Sequence, residues 1–369
     1  MFTVKGVVRS IRQTLVVILI TLVLAEIVFR IYHYINPSFV FYDDSYNRFR
    51  GKPGAPDLNF HLNSKGFKDI EYKPQKESGV YRILGIGDSF AFGVVPYRYI
   101  YLTRLEELLA ERWKQTEVIN MGIVKTGPSE YLALLVNEGV DLNPDMVLVS
   151  FFIGNDFQQK RAERKLYTYS YVASFIDFVV TVSKGYEGKI VESNSSYGDA
   201  EPTLTDEAYV GLERKRAEIF RKQNAEFQES VEQTVQYLAE MKHQCDLNRA
   251  AFAIVVLPDE LQVNPTVQAK VFNTDFNEKR DDFDFSLPNR MLGEKLKELN
   301  IRYIDLLEDI ANAGSQKVLY KPNDSHFNIE GNELVARMIA EKLFLNQTPL
   351  HQPDKVQSFI QRGELKLNR

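Results

Sequence analysis

Ser89 is the residue around which a reaction could be built. It sits at the end of Tyr81-Arg82-Ile83-Leu84-Gly85-Ile86-Gly87-Asp88-Ser89-Phe90, an apolar run of β character that closes in Gly-Asp-Ser. An amphipathic stretch, Tyr101 to Trp113, follows. That order places Ser89 at the top of a strand and close to a helix N-terminus. Backbone N–H groups lack intrahelical partners there, and the helix dipole favours negative charge. A serine in that place can be a nucleophile whose own N–H helps hold the oxyanion it creates. Taken alone, Asp88 and Ser89 read equally well as a helix cap. A serine nucleophile also needs a base, and the base needs a partner that fixes its tautomer. Of the five histidines, His33 falls in an apolar N-terminal flank, His61 in an irregular stretch, His243 on a helix and His351 in a polar tail. Only His326 stands in a loop beside an acid and close to a helix start. Asp324, two residues upstream, can reach it locally. Asn155, just past another apolar run, is placed to donate to the oxyanion, with the N–H groups of Ser89 and Gly122 beside it. Losing one such donor costs roughly 3–4 kcal/mol of transition-state stabilisation.

Positioning these residues requires a sheet. Apolar runs predict strands at 81–87, 116–122, 146–153, 251–257 and 301–306. Met146 to Ile153 is continuously apolar, as in a central parallel strand buried on both faces. Helices are expected near 99–113, 129–139 with Ser129 as cap, 213–243, 289–299 and 332–343. Alternating strands and helices argue a parallel sheet covered on both faces. In such sheets sites form at the carboxyl ends of strands, and Ser89, Gly122 and Asn155 all fall just past strand ends.

The chain divides into four parts. Residues 1–36 hold Leu15 to Phe29, nearly all apolar, which with its flank approaches the ~20 residues needed to span a bilayer. Lys5, Arg9 and Arg12 precede it, which predicts a cytoplasmic N-terminus and a body on the periplasmic or extracellular side of a bacterial inner membrane. A cleaved signal peptide is the competing reading, but apolar residues continue past Ala25. Residues 37–80, rich in Pro, Gly, Asp and Asn, read as a connector, with Asn63 to Phe67 as a turn and Gly66 at a special backbone angle. Residues 81–345 form the catalytic body, interrupted at about 157–212 by an insertion read as a lid or substrate-facing subdomain. Asn194-Ser195-Ser196 within it matches a glycosylation sequon. Residues 346–369 are a polar tail.

Composition narrows the classes. The chain has 369 residues, a net charge of −5 and 44% hydrophobic residues, with no basic excess to suggest nucleic acid as a partner. One cysteine, Cys245, excludes an internal disulfide and a cysteine-based zinc site. The absence of G-x-x-x-x-G-K-[ST] argues against a phosphate-binding loop, and no cofactor is expected.

The blocks Gly87-Asp88-Ser89-Phe90, Asn120-Met121-Gly122, Gly154-Asn155-Asp156 and Asp324-Ser325-His326-Phe327 resemble, in order, those of the SGNH (GDSL-type) hydrolases. The likeness covers roughly 80–345. It implies a three-layer α/β/α fold with a parallel central sheet of flavodoxin-like kind, preceded here by one transmembrane helix. It also implies ester hydrolysis or acyl transfer without metal, with Ser89 as nucleophile, His326 as base, and Gly122 and Asn155 as oxyanion donors. Membrane-anchored bacterial members are similar in layout. The commonest last block has Asp three residues before His, where this chain has Asn323. Asp324 is therefore the expected orienter, with Asn323 as the fallback. Asp88 and Asp156 read as turn-holding residues. Pro258 to Val263 also resembles a stretch in such members and has no evident role beyond a strand-end loop.

The expected substrate is a small acyl ester, such as acetyl, on an envelope carbohydrate or lipid, with O-acyl transfer to polysaccharide as the alternative. Two other readings compete. A two-metal phosphoesterase shares GD and Asp-x-His elements, but it needs several histidine ligands where only His326 is suitably placed. A non-catalytic envelope assembly protein could keep the fold, though it would not need the whole Ser, Gly, Asn and His set.

Overall fold

The computed structural model describes residues 4–35, 46–113, 115–157, 169–183, 197–272 and 279–345. The start of the connector at 36–45, the Asn194 sequon, His351 and the 346–369 tail lie outside the described residues.

Helix α1 (Val4–Ile35) is followed by β1 (Tyr81–Gly87), the short α2 (Ser89–Phe92), α3 (Tyr101–Arg112), β2 (Thr116–Asn120), α4 (Pro128–Leu134) and β3 (Met146–Phe152). Next come α5 (Tyr171–Ser183), α6 (Asp206–Ala217), α7 (Ala225–Leu247), β4 (Ala251–Leu257), α8 (Glu260–Val263) and α9 (Pro265–Val271). The chain closes with α10 (Leu287–Glu298), β5 (Arg302–Asp305), α11 (Leu307–Gly314) and α12 (Ile329–Ile339). The five strands form one parallel sheet in the order β2-β1-β3-β4-β5.

Alternation along each strand divides two cores. In β3, Met146, Leu148 and Phe152 face α3, α11 and α12, whereas Val147, Val149 and Phe151 face α4, α7 and α10. A continuous apolar run is what a strand covered on both faces requires. Gly85 lets α3 approach closely, since a Cβ there would stand 2.6 Å from Leu102. The strand order changes direction between β1 and β3, so the loops that leave these two neighbours diverge and open a crevice. Ser89 and Asn155 lie in those two loops.

The expected helix at 213–243 is two helices. Ile219 and Phe220 are buried, Arg221 bridges to Phe283, and the Asn224 side chain caps α7 through Phe227 N (3.0 Å). Burial of two apolar residues outweighs the helix propensity of a segment that lacks Gly and Pro. The expected helix at 129–139 begins one residue earlier, with Pro128 in its first turn, where its missing N–H costs nothing. Among the described residues one helix is long and apolar enough to cross a membrane, α1 over Gly6–Tyr32 (27 residues).

The described part of the connector is packed rather than loose. Gly66 has φ +80°, and Asn63 Oδ1 accepts from Lys65 N and Phe67 N (both 3.0 Å). Lys68 is buried, paired with Asp57, and donates to the carbonyls of Gly93 and Val95 just past α2 (both 2.8 Å). Asp69 accepts from Asn120 N at 2.7 Å and from Tyr97 OH at 2.8 Å. Burial raises its pKa from 3.8 to about 7 despite those bonds. Near pH 5 the native carboxyl therefore holds a proton that the unfolded one has lost. Unfolding free energy contributed by this group falls as pH rises from about 4 through about 7, then levels. Thermal melts of the detergent-solubilised chain at pH 5 and pH 8 check this. The drop in melting temperature should be smaller in Asp69→Asn than in the wild type, and an equal drop would contradict it.

Candidate active site

The site is assembled from four segments. β1 delivers the chain to Gly87, where a Cβ would press within 2.9 Å of Ala91 and Ser150. Asp88 then caps α2, its Oδ1 accepting from Phe90 N at 2.9 Å, so Ser89 is the first residue of the helix. The loop before α12 supplies the partners. It is held by a bridge between Tyr320 and Phe327, by Lys321 N donating to His326 O (2.9 Å) and by Asn323 in the left-handed region at φ +48°. An asparagine tolerates that conformation better than most residues.

His326 Nε2 lies 2.7 Å from Ser89 Oγ, and Nδ1 lies 2.6 Å from Asp324 Oδ1. Burial works against the charge of Asp324. Bonds from the His326 ring and backbone and from the Thr203 side chain outweigh it and hold the carboxyl below its ordinary pKa. An ionised carboxylate only accepts, so Nδ1 carries the proton and Nε2 is left to accept from the serine hydroxyl. Phe90 packs against the imidazole with ring centroids 4.9 Å apart, and against Phe152 at 4.1 Å. That contact helps fix the ring plane. Asn323, the fallback orienter, turns elsewhere: its Nδ2 donates to Leu204 O (3.1 Å) and Asp206 Oδ1 (2.9 Å).

The expected oxyanion donors differ in state. Asn155 Nδ2 donates to Asp88 Oδ2 at 2.9 Å, which leaves its second hydrogen available and its direction set. Ser89 N–H stands at the first position of α2, where a backbone N–H has no intrahelical partner. Gly122 N–H is already engaged, donating to Asn120 Oδ1 at 2.9 Å. A Cβ on Gly122 would stand 2.2 Å from Phe92 N, so this position needs glycine for the close approach of the β2 loop to α2. Asp156 is buried and accepts from Phe152 N (2.9 Å) and Tyr131 OH (3.0 Å). It holds the turn that presents Asn155.

A buried ionic cluster behind this site was signalled in the sequence only by the Pro258 to Val263 stretch. Arg216 of α6 reaches Ser325, Glu213 (2.9 Å) and Asp259 (3.5 Å), and lies over the Phe152 ring. Burial, and then the neighbouring charge of Asp259, push the Glu213 carboxyl well above its ordinary pKa. Asp259 comes from the Pro258 to Val263 stretch, where it caps α8 together with Gln262. It also abuts Gly154, whose Cβ would fall 2.3 Å from Asp259 Oδ2. Of the insertion read as a lid or substrate-facing subdomain, the part from 197 to 212 braces the histidine loop from the side. Thr203 N donates to Pro322 O (3.1 Å) and Leu204 N to Asn323 O (3.2 Å). Among the described residues no three His, Cys, Asp or Glu side chains converge as a metal site would require.

No family model and no curated protein matches the sequence. Solved structures similar to the chain include an acetyl xylan esterase, AlAXEase, at 13% identity and a TM-score of 0.40, covering 72% of this chain and 100% of that one. A catalytic mutant of Axe2, an acetylxylan esterase from Geobacillus stearothermophilus, is similar at 10% identity and 0.40, covering 73% and 97%. The lipase/acylhydrolase from Enterococcus faecalis is similar at 14% identity and 0.38, covering 73% and 100%. Likeness at this level carries no conclusion about the reaction, which has to rest on the side chains.

Those side chains make a specific statement about reactivity. Ser89 should be labelled by a fluorophosphonate, and labelling should vanish in His326→Ala. Asp88→Ala releases Asn155 and should slow labelling by about a hundredfold, the order of loss that follows from displacing a reacting geometry. An unchanged rate would show that Asn155 is held without Asp88.

Proposed function

We propose that the chain is a serine esterase of the SGNH type, hydrolysing carboxylic esters. The observation that supports this reading is the continuous hydrogen-bonded line from Ser89 Oγ through the His326 ring to Asp324. In that reading His326 Nε2 takes the hydroxyl proton as Ser89 attacks the ester carbonyl, and Asp324 stabilises the imidazolium that forms. The tetrahedral oxyanion is held by the N–H of Ser89 and the free hydrogen of Asn155 Nδ2. His326 then protonates the leaving alcohol, and water resolves the acyl-enzyme. Gly122 joins as a third donor only by sharing the N–H now given to Asn120.

The anchor helix supports a place for the reaction. With Lys5, Arg9 and Arg12 before the apolar span, the body lies on the outer side of a bacterial inner membrane. The substrates within reach are then acylated envelope carbohydrates or lipids, with a small group such as acetyl as the acyl moiety.

The full-length protein in detergent, assayed with p-nitrophenyl acetate with and without EDTA, tests the reading. Hydrolysis should survive EDTA. It should fall by about 10²–10⁴-fold in His326→Ala, the usual contribution of a positioned base, and at least as far in Ser89→Ala. A folded wild type that hydrolyses nothing would overturn the esterase reading and move attention to acyl transfer onto a glycan hydroxyl.

A further inference from the structure

Helix α5 lies in the insertion and takes no part in the site. Its 13 residues, YVASFIDFVVTVS, carry one charge, Asp177. It packs on α1: Phe29 meets Phe175 with ring centroids 4.9 Å apart, and Leu22, Val23 and Ile27 face Val172, Ala173 and Ile176 across a shallow groove. Even so, part of its apolar surface is exposed: Phe175 38%, Ile176 55% and Val179 46%.

Glu26 explains why the two helices meet. It is the one acid in the apolar span of α1, and a carboxylate at membrane depth is costly unless it is paired and hydrogen-bonded. Its partners come from 144 and more residues away: Ser170 Oγ donates at 2.9 Å, and Tyr171 N and Val172 N donate at 3.0 Å each. The first turn of α5 thus satisfies the carboxylate with otherwise unpaired N–H groups and the positive end of its dipole. Arg30 completes the knot, donating to Glu26 (2.6 Å) and to Tyr169 O (2.9 Å) and lying over the Tyr171 ring. Arginine and tyrosine at one level are what a membrane interface collects. The apolar stretch of α5 is 13 residues, followed in the sequence by Lys184-Gly185, and falls short of the ~20 apolar residues a span needs.

We propose that α5 is a second membrane element. It is held in the outer interface of the bilayer that α1 crosses, is locked there by Glu26, and has the Phe175, Ile176 and Val179 face against lipid. The occupant is lipid because this face continues the lipid-facing surface of α1 and begins at the level of its interfacial residues. The proposal rests on α1 being a membrane span, and the test separates the two.

Ile176→Cys, Ile18→Cys and Glu240→Cys variants of the full-length chain would be labelled with an environment-sensitive fluorophore. Each would be reconstituted in phosphatidylethanolamine and phosphatidylglycerol vesicles containing a nitroxide-bearing lipid. Native Cys245 is buried, and burial pushes its thiol up to about 12, so it labels slowly; the unsubstituted chain serves as the blank. Positions 18 and 176 should be blue-shifted and quenched by the nitroxide, and position 240, on exposed α7 surface, should be neither. In the Glu26→Ala background quenching at 176 should drop severalfold while that at 18 holds. Unchanged quenching at 176 there would overturn the lock. Quenching at 18 but not at 176 would overturn the second element and leave the anchor standing. No quenching at either would overturn both. A blue-shifted, unquenched label at 176, with cross-links between Ile176→Cys copies, would overturn lipid in favour of a second copy of the chain.

Discussion

The buried carboxylate of Asp88 is the constraint on which the site depends. Burial pushes its pKa up, and the bonds from Asn155 and from Phe90 N, with the charges of His326 and Arg216, oppose that. One oxygen starts the helix that carries Ser89, and the other fixes the side chain of Asn155. The loops leaving β1 and β3 are thereby tied together at the point where the sheet changes direction. Either loop alone could adopt many conformations; a shared buried acceptor leaves few. Ser89 and Asn155 are thus set relative to each other by the fold itself, which is the preorganisation that the proposed roles require.

Around this point the protein spends several other buried charges. Lys68 fastens the connector to the chain just past α2, and Arg216 fastens α6 to Ser325, the residue before the histidine. Buried ionic groups are weak sources of net stability but severe when one partner is lost. Their placement here is informative, because both grip segments adjoining Ser89 or His326 rather than the middle of the sheet. The apolar layers hold the sheet together, and the buried charges hold the loops at its edge.

Much of this was legible in the sequence because strands announce their own ends. Gly87-Asp88-Ser89 and Gly154-Asn155-Asp156 each follow an apolar run, and a parallel sheet sends all such ends to one edge. Elimination among the histidines needed no structure either. Arg216 was illegible, and Asp259 was marked only as part of the Pro258 to Val263 stretch, because their meaning is tertiary: one sits in a charged helix, the other in a loop, and only packing shows that they meet. Gly122 was read as a donor from its place after a strand, whereas its N–H goes to Asn120, a local side-chain bond that spacing does not reveal. The break before α7 was hidden in the same way, since Ile219 and Phe220 look like any apolar pair in a helix. Asn224 was the available clue.

The bond between Ser89 and His326 joins residues 237 positions apart. Asp324 and His326 therefore reach Ser89 only across the folded sheet, not through any local segment. Until β5 has docked on β4 and the loop before α12 has closed, Ser89 has no imidazole beside it. Closing so long a loop carries a chain-entropy cost that the packing of the sheet has to meet. The Ser89–His326 pair is thus assembled only by completion of the sheet. A chain cut before residue 324 would carry Ser89 without its hydrogen-bonded partners, so the pairing belongs to the whole sheet rather than to either loop.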